Sequence, residues 1–229
     1  KNGNIVVDDR QSGNHWNFEN ITLSVRRPSG GGIAVSAGEE GTARPWSFRA
    51  AIGPQINGVR SVDINADSVL LKDLLFALRL KDASYTADLP LTGRLRGEIG
   101  RDGLPTYFSG KIGIDAGTII DRRAPEYPMN IDRADISVDW DSTRRVLVAP
   151  FQVVAGQNRI TLLAHLEPPS DTVPNWQLGL SGGTIVLPGS GNEAPLIFNR
   201  IAVRMRFDLE GQRIVLSQGD VSNGTVGIA

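Results

Sequence analysis

The sequence predicts a mainly β protein, built as a repetitive antiparallel meander with one short helix. Apolar and polar residues alternate with a period of two through most of the chain, which is typical of half-buried strands. The 26 glycines and 13 prolines interrupt the chain too often for long helices. One segment pattern also recurs farther along the chain, and such internal similarity is typical of proteins that stack structural units.

The stretch from Glu126 to Pro168 shows the alternation most clearly and predicts three strands. Polar turns at Asp141–Arg144 and Ala155–Asn158 separate these strands. Pro150 interrupts the second strand, which indicates an edge strand or a bulge. We expect one face of the three strands to be apolar, and its predicted residues are Ile136, Val138, Trp140, Val146, Val148, Ile160 and Leu162.

The first part of the chain predicts more strands and then the helix. Alternating segments at residues 4–9, 16–26, 33–37 and 45–52 predict a meander, and another strand is expected near residues 59–64. In residues 67–81 the leucines at 71, 74, 75 and 78 follow helical spacing, with Asp67 or Ser68 as the N-cap. We therefore predict one short helix around residues 68–80, packed on the sheet or filling an opening in it.

A repeat links the middle of the chain to its last part. The segment Lys111–Ile119 resembles Gln177–Ile185, 66 positions later, and Ile136, Val138 and Trp140 match Val203, Met205 and Phe207, 67 positions later. After a slip of one residue, Val146–Val148 also matches Ile214–Leu216. A unit laid down at least twice predicts growth along one axis. We expect one continuous β-repeat segment with approximate units 1–57, 58–125, 126–190 and 191–229.

Composition narrows the possible functions. A formal net charge of −1 provides no basic footprint for nucleic acid, and the absence of cysteine excludes disulfides, thiolate metal sites and cysteine nucleophiles. No apolar run approaches the roughly 18 residues needed to span a bilayer. The chain starts with Lys1-Asn2-Gly3 and stops within a strand-like pattern, so we expect an excerpt of a larger protein.

One pentapeptide resembles a catalytic motif. Gly179–Gly183 matches the G-x-S-x-G pattern, in which a nucleophilic serine sits on a strand-to-helix turn. Here Thr184–Leu187 continues as a strand, both histidines (His15 and His165) precede Ser181, and the repeat has Asp115 in its place. We therefore expect no catalytic residues and no enzyme.

Metal and cofactor sites are not expected either. The two histidines are isolated, and the glycine-rich loops at residues 30–32 and 189–191 lead into no helix that could hold a phosphate. Aspartates at 8–9, 63/67 and 139/141 fit turn and strand-edge roles better than a catalytic carboxylate pair.

Several motifs together resemble one family. They are Leu91–Gly93 with the turn at Asp102-Gly103, then Phe108–Ile112, then Gly117–Ile119 and the meander Asp132–Leu166. This combination resembles the AsmA-like proteins, closest to their YhdP-type branch, and Val62–Leu80 is similar to the same branch. The resemblance covers most of the chain and rests on glycine, leucine and turn positions.

The resemblance implies a bacterial bridge-like lipid transfer protein. Such proteins lie in the periplasm of Gram-negative bacteria and are anchored in the inner membrane through a segment that this chain lacks. Their strands form a curled, taco-like hydrophobic groove that is thought to carry phospholipid toward the outer membrane. The family defines no catalytic residues, so the resemblance implies none here.

Physical reasoning from the residues leads in the same direction. A long sheet with one apolar face must be covered or must curl, and one helix cannot cover so many strands. A sandwich or an incompletely closed barrel remains, and an apolar trough would suit acyl chains. The expected partners are phospholipid acyl chains and flanking segments of the same chain.

Our first hypothesis is therefore a non-enzymatic segment of a periplasmic lipid-carrying groove. The alternative is a structural or adhesive β-repeat module of a large envelope protein, whose apolar face is only its core. The predicted lipid-binding residues are Ile112, Ile114, Ile136, Val138, Trp140, Val146, Val148, Ile160, Leu162, Leu178, Leu180, Val203, Met205 and Phe207.

Overall fold

The computed structural model describes residues 3–9, 14–39, 44–77, 85–170, 172–189, 193–208, 213–224 and 227–228. The strands are β1 (Gly3–Asp9), β2 (Asn14–Arg26), β3 (Ile33–Glu39), β4 (Trp46–Ile56), β5 (Val59–Leu70), β6 (Tyr85–Asp88), β7 (Pro90–Ile99), β8 (Pro105–Ile114), β9 (Gly117–Asp121), β10 (Met129–Ile131), β11 (Arg133–Asp141), β12 (Val146–Ala155), β13 (Asn158–Glu167), β14 (Gln177–Leu187), β15 (Leu196–Phe198), β16 (Arg200–Asp208), β17 (Arg213–Ser222) and β18 (Gly227–Ile228). The helix α1 spans Leu71–Ala77.

The fold is mainly β, and its largest part is one antiparallel meander sheet that does not close into a barrel. Among the described residues this sheet has the order β1-β2-β3-β4-β5-β7-β8-β11-β12-β13-β14-β16-β17-β18, and β15 pairs with β14. A smaller sheet has the order β10-β9-β6. The predicted fold class, a β meander with one short helix, is confirmed, and so are the strands expected before the helix.

The register shows how the two faces of the main sheet are composed. Residues directly opposite each other in antiparallel strands point to the same face, so one face can be followed from strand to strand. One such row, from β5 to β15, is entirely apolar: Val69, Leu91, Ile114, Ala134, Val153, Ile160, Ile185 and Phe198. We call the side carrying this row the inner face and the opposite side the outer face.

A row on the outer face has a different composition. From β5 to β16 it runs through Asp63, Arg96, Ser109, Asp139, Val148, His165, Gly179 and Arg204. Charges are paired within it: the Arg96 Nε lies 3.1 Å from the Asp63 carboxylate, and Ser109 donates to Asp139 at 2.7 Å. The main sheet therefore has one apolar face and one largely polar face.

Two strand pairs bend at equivalent bulges, and these bulges reproduce the sequence repeat. In the first pair, the segment of β6 and β7 pairs with the segment of β8 and β9. The β8–β9 segment has one extra residue between the paired positions Asp88–Thr118 and Leu91–Ile114. In the second, β13 and β14 carry the same extra residue between Thr161–Thr184 and Ala164–Leu180. The small sheet thus continues the main sheet past a bulge, because a bulge bends the strand that carries it.

Glycine is required at both bulges. A Cβ atom at Gly117 would collide with the carbonyl oxygen of Asp88, and one at Gly183 would collide with the carbonyl oxygen of Thr161. These two glycines are 66 positions apart, which is the spacing of the repeat. The repeated Gly-Thr-Ile sequence therefore marks a close approach of two backbones.

The helix begins later than the sequence predicted. Residues 67–70 belong to β5, because Val69 pairs with Leu91 after a register shift, and Ser68 adopts a left-handed conformation with φ of 53°. The Ser68 N–H donates to the Thr92 hydroxyl at 3.2 Å, so this residue serves the strand and not a helix N-cap. The predicted last turn, including Leu78 and Leu80, lies outside the described residues.

Pro150 occupies neither an edge nor a bulge, so that prediction is wrong. Strand β12 lies between β11 and β13, and its register is the same on both sides of the proline: Ile136 opposes Phe151, and Asp139 opposes Val148. The ladder with β11 is interrupted beside the proline, whereas the ladder with β13 is continuous. The missing N–H of proline is therefore accommodated by a local gap in one ladder.

Alanine substitutions at the second bulge separate backbone strain from steric collision. Gly182 and Gly183 have φ of 65° and 75°, but a Cβ at Gly182 meets open space. Gly182→Ala should lower the free energy of unfolding by about 1 kcal/mol, the usual cost of a left-handed residue. Gly183→Ala should lower it by at least about 3 kcal/mol, since it also collides with a carbonyl group. Urea unfolding followed by circular dichroism measures both, and equal losses would refute the assigned close approach.

Candidate functional site

The inner face of the main sheet is the candidate site because it is apolar on nearly every strand. Pairing from β2 to β17 places large aliphatic and aromatic residues on this side of the sheet. They include Leu23, Val25, Val35, Phe48, Ile52, Val62, Ile64, Leu91, Leu95, Phe108, Ile112, Ile114, Ile136, Val138, Trp140, Leu147, Phe151, Val153, Ile160, Leu162, Leu178, Leu180, Val203, Met205, Phe207 and Leu216.

Twelve of the fourteen predicted site residues lie together on this face. The structure places them on five strands that are neighbours or next neighbours in the main sheet. They are Ile112 and Ile114 of β8, Ile136, Val138 and Trp140 of β11, Ile160 and Leu162 of β13, Leu178 and Leu180 of β14, and Val203, Met205 and Phe207 of β16.

The other two predicted residues, Val146 and Val148, point to the outer face. They oppose Asp141 and Asp139, whereas the inner residue Trp140 opposes Leu147. A turn of four residues connects the strands, in which the N–H groups of Thr143 and Arg144 both donate to the Asp141 carboxylate at 3.0 Å. This turn length decides which residues of β12 face inward. The prediction that Val146 and Val148 lie on the inner face was therefore wrong.

Inner residues of β12 were missing from the predicted site for the same reason. The strand contributes Leu147, Phe151 and Val153 to the inner face. The sequence contained a signal, because Val146 and Phe151 are an odd number of residues apart and cannot share a face in a regular strand. The sequence match concealed this signal because it aligned Val146 with Ile214. In the structure Trp140 opposes Leu147 and its equivalent Phe207 opposes Ile214, so Leu147 is the residue that corresponds to Ile214.

The inner face is most buried in its middle. Val138 and Leu162 are only 6% and 7% exposed. Within the described residues, the close backbone contacts join neighbouring strands, or join the helix and the small sheet to them. Toward the ends of the strand order the face opens, where Leu23 is 55% exposed and Leu216 is 62% exposed.

Glycines and large side chains alternate on the inner face at β7 and β8. On this side Gly93 opposes Ile112, Gly97 opposes Phe108, and Gly110 opposes Leu95. A Cβ atom at Gly97 would collide with the ring of Phe108, and one at Gly110 would collide with the side chain of Leu95. Phe108 and Leu95 therefore lie across the glycines of the neighbouring strand.

One end of the inner face is covered by protein. The small sheet contributes Ala87 and Ile131, which form a buried cluster with Leu89. Leu71 of α1 and the inner-face residues Ile114 and Val153 pack against this cluster. The helix thus packs on the sheet, as predicted, and the strand ends bend over the apolar face on this side.

Acidic groups gather beside this covered end. Glu39 lies on the inner face and accepts a hydrogen bond from the Trp46 indole at 3.1 Å. The Lys72 ammonium lies 3.2 Å from the Asp88 carboxylate. Burial raises the pKa of Asp73; Lys72 partly offsets this effect, and the negative charges of Asp88 and Glu39 add to it.

The serine of the G-x-S-x-G motif and the acidic and histidine side chains are the other candidate groups. Ser181 lies within β14 on the outer face and makes no hydrogen bond to His165, whose Nε2 is 3.5 Å from the Glu167 carboxylate. The described residues also contain no group of three or more histidine, aspartate or glutamate side chains that could hold a metal ion. That the protein is not an enzyme stays a prediction.

Comparisons of the chain with models of protein families, with curated proteins and with solved structures found no match. In the part of the chain that the structure describes, none of the helical residues forms a segment both long and apolar enough to cross a membrane.

Replacing Asp73 tests the electrostatics of the covered end. A raised pKa means that the folded state holds the proton more tightly than the unfolded state, so stability falls as the pH rises above the usual value of 3.8. Asp73→Asn should raise the melting temperature at pH 7 and have little effect at pH 3. Asp115→Asn removes a carboxylate at an exposed position and is the matched control. A lower melting temperature for Asp73→Asn at pH 7 would contradict the assignment.

Proposed function

We propose that the chain is a non-enzymatic segment of a lipid-carrying protein, which holds phospholipid acyl chains against its inner face. The observation that supports this most is a large apolar face that continues across neighbouring strands from β2 to β17 and is exposed toward both ends of the strand order. Ordinary cores bury such side chains beneath another layer, because apolar surface left in water costs free energy. An acyl chain would cover the exposed part of this face.

The dimensions of the inner face suit this ligand. Seven residues from Ala134 to Trp140 extend roughly 20 Å along a strand, and a sheet path of fourteen strands extends roughly 60 Å across them. An acyl chain is about 15 Å long, since the hydrocarbon core of a bilayer is about 30 Å thick. Several chains therefore fit along the face, with their headgroups in water.

The apolar lining also suits movement. Each methylene group taken out of water contributes roughly 0.8 kcal/mol, and the attraction has no preferred direction. Because equivalent apolar residues recur in successive units, a lipid that slides along the face exchanges one set of contacts for a similar set. The mechanism we propose is such sliding, with the headgroup remaining outside.

The sequence resemblance to AsmA-like proteins supports the cellular setting. We infer a periplasmic protein of the YhdP type that is anchored in the inner membrane by a segment outside this chain. Flanking segments of the same protein would lengthen the trough, and phospholipid would pass along it between the two membranes. The partners of this segment are then phospholipid acyl chains and its own flanking segments.

Photo-crosslinking at adjacent residues tests the proposal directly. Met205 faces inward and Arg204 faces outward in the same strand, and Ile136 and Asp135 form a second such pair. With a benzophenone amino acid at each position, we expect phospholipid adducts at 205 and 136 and none at 204 and 135. Mass spectrometry of the irradiated chain with vesicles of phosphatidylethanolamine and phosphatidylglycerol measures them. No adducts at any position would favour the structural or adhesive module.

A charged residue on the inner face should reduce lipid binding. Met205→Glu places a carboxylate where an acyl chain would lie, and desolvating that charge is costly. The lipid bound per protein, measured by native mass spectrometry, should fall at least fivefold, whereas the outward Arg204→Glu should keep it. Met205 is preferable to Val138 for this purpose because Val138 is 6% exposed and a charge there would threaten folding. Equal lipid content in both variants would refute the face assignment.

A further inference from the structure

The outer face of β11 to β16 combines an apolar strip with opposite charges on its two sides. Strand β12 carries Val146, Val148 and Pro150 outward, and Leu163 of β13 opposes Pro150 and is 38% exposed. Strand β12 is therefore apolar on both faces, which is typical of strands covered on both sides. We call these four residues the outer apolar strip.

Aspartates lie on one side of this strip and arginines on the other. Asp139 and Asp141 project outward from β11, and Arg204 and Arg206 project outward from β16. Asp139 and Arg204 belong to the same row of the sheet, separated by Val148, His165 and Gly179. Four strand spacings, or about 19 Å, therefore separate the two charged columns.

The outer residues of β11 and β16 differ in charge, although the two strands occupy equivalent places in the repeat. Strands β11 and β16 are equivalent at an offset of 67, and their inner residues match as Ile136 with Val203 and Val138 with Met205. On the outer face, in contrast, Asp139 corresponds to Arg206. The inner face is thus similar in both units, whereas the outer charge is reversed at this one position and kept at Arg133, which corresponds to Arg200, and at Asp141, which corresponds to Asp208.

These charges have few partners within one molecule. Among the described residues, the guanidinium groups of Arg204 and Arg206 make no ion pair, and the Asp139 carboxylate accepts only the Ser109 hydroxyl. All three residues are exposed. Asp141 already lies 3.7 Å from the Arg144 guanidinium, so the complementarity to the same surface of another copy rests mainly on Asp139, Arg204 and Arg206.

We propose that two copies of the chain pack back to back through this outer surface, around a twofold axis parallel to the strands at β13. Rotation about that axis places β11 of one copy opposite β16 of its partner, with every row in register. Asp139 then faces the partner's Arg204, Asp141 faces the partner's Arg206, and both contacts occur twice, as in any isologous interface. The sheets lie about 10 Å apart, in the aligned packing common for two sheets.

The strip meets small residues in this arrangement. Strand β12 lies opposite the partner's β14, whose outward residues in the two central rows are Gly179 and Ser181. Val148 therefore faces Gly179, and Pro150 faces Ser181, while Leu163 faces its own copy at the axis. Large residues thus face small ones in these two rows, whereas in the next row Val146 faces Gln177 and Glu167 faces its own copy.

The interface is small, and its strength should reflect this. Five strands bury less than the standard interface of about 1,600 Å², so the dimer is a weak one that charge pairs strengthen at low salt. The inner faces of both copies remain open. The dimer is therefore independent of lipid carriage, and either proposal can fail without the other.

Charge reversal tests the arrangement because the interface is twofold. Asp139→Arg alone places arginine opposite the partner's Arg204, and Arg204→Asp alone places aspartate opposite the partner's Asp139. Each variant should weaken self-association at least tenfold, since like charges face each other twice. An equimolar mixture of the two variants restores both opposite-charge pairs in a heterodimer, and its association should return to the level of the parent.

Sedimentation equilibrium of the full chain at 20 mM and 500 mM salt measures these constants. Arg49→Asp is the matched control, because Arg49 is exposed on the outer face at β4, outside the interface, and should leave association unchanged. We expect a parent dimer at low salt that weakens as salt rises. The proposal is overturned by a parent that stays monomeric at low salt, by single variants that associate like the parent, or by a mixture that stays dissociated.

Discussion

Antiparallel register is the constraint on which the rest of this structure depends. Because opposite residues in neighbouring strands share a face, the apolar alternation of each strand adds to that of the next. A shift of one residue in any strand would bring its apolar side chains to the outer face. The row from Val69 to Phe198 shows that the chain keeps this register through two bulges and a proline.

The bulges turn an apolar face into a partly enclosed one. At Gly117 and Gly183 the chain passes so close to a neighbouring carbonyl group that no side chain fits, and the strands bend there. Beyond the first bulge, the small sheet packs Ile131 against Leu89 and covers one end of the inner face. The same extra residue and the same close approach occur in both units, although only the second bulge, at Gly182 and Gly183, has left-handed backbone.

The two faces of the sheet have different requirements. The inner face keeps apolar residues at equivalent positions of the two units, as a surface for a uniform ligand or a core would need. The outer face differs between the units, with Asp139 in one and Arg206 in the other. At other outer positions the charge is the same in both units, as in Arg133 and Arg200.

The sequence by itself determined the strands, the repeat and most of the inner face, because alternation within a strand is a local property. Twelve predicted residues lie on that face for this reason. Only the tertiary structure decided the facing of Val146 and Val148, since four turn residues, ending with Arg145 at φ of 55°, set it. It also decided the start of α1, because Val69 and Leu70 pair with β7 and the helix therefore begins at Leu71 instead of residue 68. Periodicity cannot report such features, because they depend on contacts between segments far apart in the chain.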